Sequence, residues 1–188
     1  STEDIGKLIG ADGKIYEDAD AVSAAHTTAV AVITFVGEAT GESAPYNHGL
    51  ALALSDANDN ITCEWKTSQT DASHAKQTDS NNFTSESGLQ YNATHNSDTY
   101  PAFKAAIENN GKAKPTGCSA WFLPSAYQWN QMINDAGGVV NLRNIASMSN
   151  GWYWSSTEYS ESYAWRCAFV SGGDWGFHEK NNPSHVRD

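Results

Sequence analysis

Six histidines, three cysteines and 22 acidic residues are the side chains here that could hold a metal or run a covalent reaction. His26, His48, His74, His95, His178 and His185 include no pair at the close spacing of a zincin helix. His48 precedes Gly49 and reads as a structural loop residue. His178 and His185 fall on what read as neighbouring strands. A hairpin could bring them together, but display on a binding face is the simpler reading. Cys63, Cys118 and Cys167 are odd in number and lack CxxC spacing, so they form neither a disulfide framework nor a zinc site. They read as small buried hydrophobes, with one bridge, Cys118 to Cys167, left open. Asp56-Ala57-Asn58-Asp59-Asn60 alternates oxygen ligands but lacks the Gly and the distal Glu of an EF-hand loop, so it reads as a solvated turn. Neither a Gly-x-Ser-x-Gly elbow nor a phosphate-binding Gly-rich loop occurs. The chain is expected to be non-catalytic, with no metal and no cofactor.

The remaining chemistry is contact chemistry, and it is concentrated at the C-terminal end. Trp152, Trp154, Trp165 and Trp175 lie there among Gly, Ser and Asn. Large aromatic anchors between small polar residues suit a rigid scaffold that presents adaptable contacts. Trp165, Cys167 and Phe169 share one strand parity, while Arg166, Ala168 and Val170 share the other. Tyr153 alternates with Trp152 and Trp154 and is expected to face outward as an anchor. Trp121, Trp129, Trp154 and Trp165 are expected in the core.

Several elements must position these residues. Gly10-Ala11-Asp12-Gly13-Lys14-Ile15-Tyr16 reads as a turn and a short strand. Ala29 to Val36 is rich in β-branched residues and reads as a buried strand. Gly49 to Leu54 reads as the next strand, although an amphipathic helix has a similar pattern. Residues 67–99 are dominated by Thr, Ser, Asp, Asn and Gln and read as a long surface loop, with one short helix near Asp71 to Gln77. Pro101 to Asn110 reads as a helix ended by Gly111. Ser125 caps a second helix, Ala126 to Ala136, which Gly137-Gly138 stops. From Gly151 onward strands and turns follow as a meander. The order is α+β rather than alternating βαβ.

Composition narrows the partners. The 188 residues fit one domain spanning 1–188. Hydrophobic content is 39% and net charge −11, with no basic cluster, so nucleic acid is not an expected partner. An anionic membrane surface is equally disfavoured. No run approaches the roughly 20 apolar residues of a membrane-spanning helix, so no direct insertion is expected. The chain starts at Ser1 without Met, so the absence of a signal peptide says little about where it works.

Trp154-Ser155-Ser156-Thr157-Glu158-Tyr159, followed by Ala164-Trp165 and Val186-Arg187, resembles the C-type-lectin-fold domains of gut bacteria and their phages. It is similar above all to the variable proteins of diversity-generating retroelements. Asp12 to Tyr16, His48 to Leu54, Gly117 to Ser125 and Gln128-Trp129 extend the resemblance in the same order. The resemblance implies a C-type lectin-like fold, with two helices packed on antiparallel strands and a C-terminal β meander. It implies a variable display region at about 151–187. In such proteins the varied positions come from adenine-containing codons, which cannot become Trp, Glu, Gln, Lys or Met. Arg166, Ala168, Val170, Asp174, Gly176, Phe177, His178, Asn181, Asn182, Ser184 and His185 are reachable, whereas Trp165, Trp175, Glu179 and Lys180 are fixed framework. Tyr153 and the Ser160, Ser162 and Tyr163 loop complete the expected ligand face. The Glu-Pro-Asn or Gln-Pro-Asp triplet of calcium-dependent lectins is missing, so recognition is expected to be calcium-independent. Formylglycine-generating enzymes share this broad fold and use paired cysteines, but the core parity of Cys167 argues against that chemistry. The implied partner is a protein or glycan on a cell surface, and the implied location is a cell surface, the exterior or a phage particle. A static structural or adhesive module of a cell-surface or fimbrial assembly is the alternative.

Overall fold

The Asp12-Gly13 turn closes a hairpin between β1 (Leu8–Gly10) and β2 (Ile15–Tyr16) in the computed structural model, which describes residues 2–188 apart from the side chain of Asn110. Helix α1 (Ala19–Ala24) follows, with the Asp18 carboxylate accepting from the Ala21 amide as its N-cap. The β-branched run is β3 (Ala29–Val36), and the alternating Leu/Ala segment is β4 (Gly49–Ala53). These strands form an antiparallel sheet in the order β2-β1-β3-β4. Its two faces are both covered. Val32, Leu50 and Leu52 pack with Trp129, Met132 and Leu142, while Ile9, Ala31 and Ile33 pack beneath Trp121.

The middle of the chain departs from the sequence reading. After β5 (Cys63–Glu64), residues 71–77 are irregular, and the helix of this region is α2 (Gly88–Thr94), capped by Ser87. Nor is 67–99 a surface loop. Ala72, His74, Gln77, Phe83, Glu86, Asn92 and His95 are all buried. Polar residues dominate there because their partners are buried polar groups elsewhere, such as Glu158 for the Ala72 and His74 amides.

Helix α3 (Pro101–Glu108) begins at its Pro and passes into a 3-10 turn at Asn109–Gly111. Helix α4 (Ala126–Ala136) has a complete capping box between Ser125 and Gln128, worth about 1 kcal/mol, and ends at Gly137 in the left-handed conformation (φ 79°). Gly138 does not simply stop the chain, because it starts a further helix, α5 (Val139–Ile145). Five α-helices therefore stand among the described residues, where two and a short third near Asp71 to Gln77 were expected.

The C-terminal meander is β6 (Trp152–Glu158), β7 (Tyr163–Ala168) and β8 (Trp175–Glu179), antiparallel throughout. Through its backbone the chain's end meets this sheet only at His185, which bridges Tyr153 of β6 in parallel, its N–H donating to the Trp152 carbonyl and its carbonyl accepting from Trp154 N–H. β9 (Pro183–Ser184), just before it, pairs with β5. The segment from Val186 to Asp188 then runs beside the end of β4, with Ala53 N–H donating to the Asp188 carbonyl and Ala57 N–H to that of Val186. The fold is α+β with antiparallel sheets.

Candidate ligand-binding face

Register decides what the three-stranded sheet presents. Trp154 pairs with Arg166, Arg166 with Gly176, and Ala164 with His178, so these side chains share one face with Trp152 and Ala168. Tyr153, Trp165, Cys167, Trp175 and Phe177 share the other. That second face is the inner one for most of its area. Trp165 and Trp175 pack on Phe83, and their indole N–H groups donate to the Gln77 carbonyl (2.6 Å) and the Asn130 side chain (2.8 Å).

On the outward face, Trp152 is 38% exposed and the Arg166 guanidinium carbon lies 4.4 Å from its ring centroid. Gly176 makes room for this stack, since a Cβ there would sit 3.0 Å from the Trp152 ring. Arg166 Nη1 donates to Ser184 Oγ (3.2 Å). Its Nε is buried without a hydrogen-bond partner, and none of the ion pairs found among the described residues involves it. Burial lowers the guanidinium pKa. His178 lies beside it, and its pKa is lowered first by burial and then by the Arg166 charge. A chain of net charge −11 thus keeps a half-buried cation without an acidic partner next to an exposed indole. Such a pair can stack on the apolar face of a ring and offer fork-shaped donors to a carboxylate or hydroxyl.

The expected site residues divide. Arg166, Gly176 and His178 share the outward face, with Asp174 and Asn181 exposed and Asn182 half-buried at its turns. Val170 is exposed in the β7–β8 turn. Phe177 is 45% exposed but lies on the opposite face, stacked on Tyr159 with ring centroids 3.9 Å apart and edge-on to Tyr163. Ser160 and Ser162 belong to that second group: Ser160 Oγ accepts from the Tyr163 amide, and Ser162 Oγ donates to the Gln69 carbonyl.

Four expectations of display are corrected. Tyr153 is fully buried, because its parity is that of Cys167, and its hydroxyl donates to Asp56 (3.2 Å). Ala168 is buried, and Ser184 is covered within the β5–β9 ladder. His185 stacks on Tyr153 and approaches Asp56 at 3.3 Å. Since β9 pairs with β5, His178 and His185 are not hairpin neighbours. Among the described residues no group of three or more His, Cys, Asp or Glu is arranged to hold a metal. Asp56 is not in a solvated turn either. It is buried and paired with Arg187 at 3.0 Å. The three cysteines are free, and burial pushes the Cys63 and Cys167 thiols up to about 12. Trp129, Trp154 and Trp165 are buried as expected, whereas Trp121 is only partly covered.

Two features escaped sequence reasoning. Trp152 is the exposed aromatic of β6, a role the parity argument gave to Tyr153. The second is the buried Glu158–Lys180 ion pair. Glu158 also accepts from the amides of Ala72 (2.8 Å) and His74 (3.0 Å), and Lys180 donates to the carbonyls of Thr70 and Glu161. This centre anchors the 70–76 segment under the sheet.

No protein-family model and no curated protein matches the chain. Among solved structures, a fimbrial protein from Bacteroides ovatus ATCC 8483 shares the fold, with a TM-score of 0.65 and 16% identity. The likeness covers 97% of this chain and 48% of that one, so the chain spans about half of that protein's length. None of the helices found among the described residues is long and apolar enough to cross a membrane.

Proposed function

We propose that this chain is a non-catalytic adhesive or structural module of a cell-surface or fimbrial assembly. It is built on a C-type lectin-like fold, and its ligand face is the outward side of the β6-β7-β8 sheet. The observation that carries the reading is the likeness, along nearly the whole chain, to half of a fimbrial protein. The Trp152–Arg166 pair supplies the contact chemistry. It is an exposed indole beside a cation that has no acidic partner, and burying such a pair against a ligand forms a hot spot. Recognition needs no calcium in this reading, since the donors are a guanidinium, an imidazole and amides. The partner is a protein or glycan on another surface.

A second reading is favoured by one specific observation. Arg166, Gly176, His178 and Asn181, all reachable by adenine-directed mutation, lie outward or at the sheet's turns, and the unreachable Trp165 and Lys180 are buried, although the reachable Ala168 and Ser184 are buried too. This pattern suits a variable protein of a diversity-generating retroelement, displaying a changing receptor-binding surface on a cell or a phage. A nearby near-copy of the gene segment for residues 151–187, differing at adenines, would decide for it. A genome without such a copy leaves the fixed surface module.

The test of the face itself is a screen of glycans and bacterial surface proteins with and without EDTA. Trp152→Ala and Arg166→Ala should each abolish EDTA-resistant binding while the melting temperature holds. Binding that survives both changes puts the site elsewhere.

A further inference from the structure

Three side chains on the outward face of the β6-β7-β8 sheet keep hydrogen-bonding groups that the fold does not use. Arg166 Nη1 donates to Ser184, but Nη2 donates to no described residue and, unlike the buried Nε, reaches solvent. His178 makes no hydrogen bond to the described residues, and neither of its ring nitrogens is sealed from water. The indole N–H of the exposed Trp152 is unpaired as well. Arg166 pairs with Gly176, and His178 stands two residues further along β8 on the same side, a rise of about 7 Å.

The charges of these groups differ. Burial is the one cause that lowers the Arg166 pKa, so no carboxylate lies near enough to steady the guanidinium. An ion partly desolvated without a partner is costly, and an anion placed on it recovers part of that cost through a charge-assisted hydrogen bond. His178 is held below its ordinary pKa by burial and then by the Arg166 charge, against an opposing pull from Glu179. At neutral pH its ring is therefore uncharged, with one nitrogen donating and the other accepting, which suits a hydroxyl. The acidic groups nearby are Glu179 beside His178 and Asp174, exposed before β8. Together with the net charge of −11 they oppose a ligand that carries many carboxylates, such as an acidic peptide. A single carboxylate among neutral hydroxyls meets all of these conditions, and an indole gives the apolar side of a sugar ring a surface to pack on.

Given the ligand face proposed above, on which this inference rests, we propose that it binds an acidic sugar, a pyranose with one carboxylate. Arg166 Nη2 holds the carboxylate, His178 takes a hydroxyl, and Trp152 covers the apolar side of the ring.

Calorimetric titration of the whole chain in EDTA with polygalacturonate, hyaluronan and polysialic acid, each against its carboxyl-reduced form, tests this. At least one acidic form should bind about tenfold or more tightly than its reduced form, the factor expected of a charge-assisted hydrogen bond. The gap should narrow as salt rises. Arg166→Gln should bring the acidic form down to the affinity of the reduced one, and Trp152→Ala should weaken both. The gap in the unaltered protein keeps the test valid if Arg166→Gln does not fold. Equal affinity for acidic and reduced forms, no binding of any acidic form, or tighter binding of polyglutamate than of every acidic polysaccharide would overturn the proposal. Neutral glycans bound without any such gap and lost in Trp152→Ala would remove the acidic sugar and keep the ligand face. The face itself fails on a different result, a ligand whose binding neither Trp152→Ala nor Arg166→Gln disturbs.

Discussion

Tyr153 and Trp152 are neighbours in sequence and opposite in fate. Tyr153 sits in the first core with Phe169 edge-on at 5.4 Å, while Trp152 lies outside against Arg166. Truncating Tyr153 to Ala should therefore cost about 3–5 kcal/mol in a denaturant melt. Truncating Trp152 should cost about 1 kcal/mol or less and show its effect in binding instead. The reverse order would put Trp152 in the framework. Glu158 poses a sharper case. Its partner Lys180 is fully buried, and burial already lowers the lysine pKa. Glu158→Gln removes the compensating charge and should destabilise the fold by about 3–5 kcal/mol. A change under about 1 kcal/mol would mean that Lys180 finds enough compensation in the Thr70 and Glu161 carbonyls.

Among the elements, α4 was the most legible, since Ser125, Gln128 and Gly137 are local signals that the structure uses directly. Ser125→Ala should lower stability by about 1 kcal/mol, or more, because the same hydroxyl also donates to the Glu86 carbonyl. α5 was hidden because Gly137-Gly138 reads as a stop, and sequence does not say that the second glycine opens the next helix. Asp18 and Ser87 were available as caps for α1 and α2 but flank helices of only six and seven residues, too short for a period to emerge. The strand tail shows another limit. The parities of β6 and β7 were right, but alternation identifies two faces and not which is dry. Tyr153 is fully buried on the inner face, and Trp154 is fully buried on the other because β5 and β9 cover part of the outer side, where Trp154 Nε1 donates to the Cys63 carbonyl. That cover depends on a pairing between residues 63 and 184, which no local pattern encodes.

The 70–95 segment also sets a pH response. His74 is stacked on Tyr91 at 3.5 Å, its Nδ1 faces the Ser156 carbonyl, and burial holds its pKa at about 3 against an ordinary 6.5. The unfolded chain therefore takes up a proton between pH 6.5 and 3 that the folded chain refuses. Stability should be intact above pH 6.5 and should fall by a few kcal/mol as pH drops toward 3. His74→Phe should flatten that part of the curve in acid titrations followed by circular dichroism. An unchanged slope would assign the acid sensitivity to other groups.

At the scale of the whole molecule, one α+β frame carries two different surfaces. The C-terminal sheet turns an indole and an unpaired arginine outward, and the first sheet encloses an apolar cavity on the far side. The C-terminal location of the candidate face was legible from the cluster of tryptophans. Its membership was not, because Ala168, Ser184 and His185 are taken up by packing with distant parts of the chain. The cavity had no signature in sequence at all, since its walls come from five separate segments.

The most direct measurement is an array of glycans and bacterial surface proteins probed in EDTA with the native chain and with the Trp152→Ala/Arg166→Ala double variant. The account predicts a ligand bound by the native chain and lost in a double variant that still melts cooperatively. Binding retained by that folded double variant would contradict a ligand face built on the outward side of the β6-β7-β8 sheet.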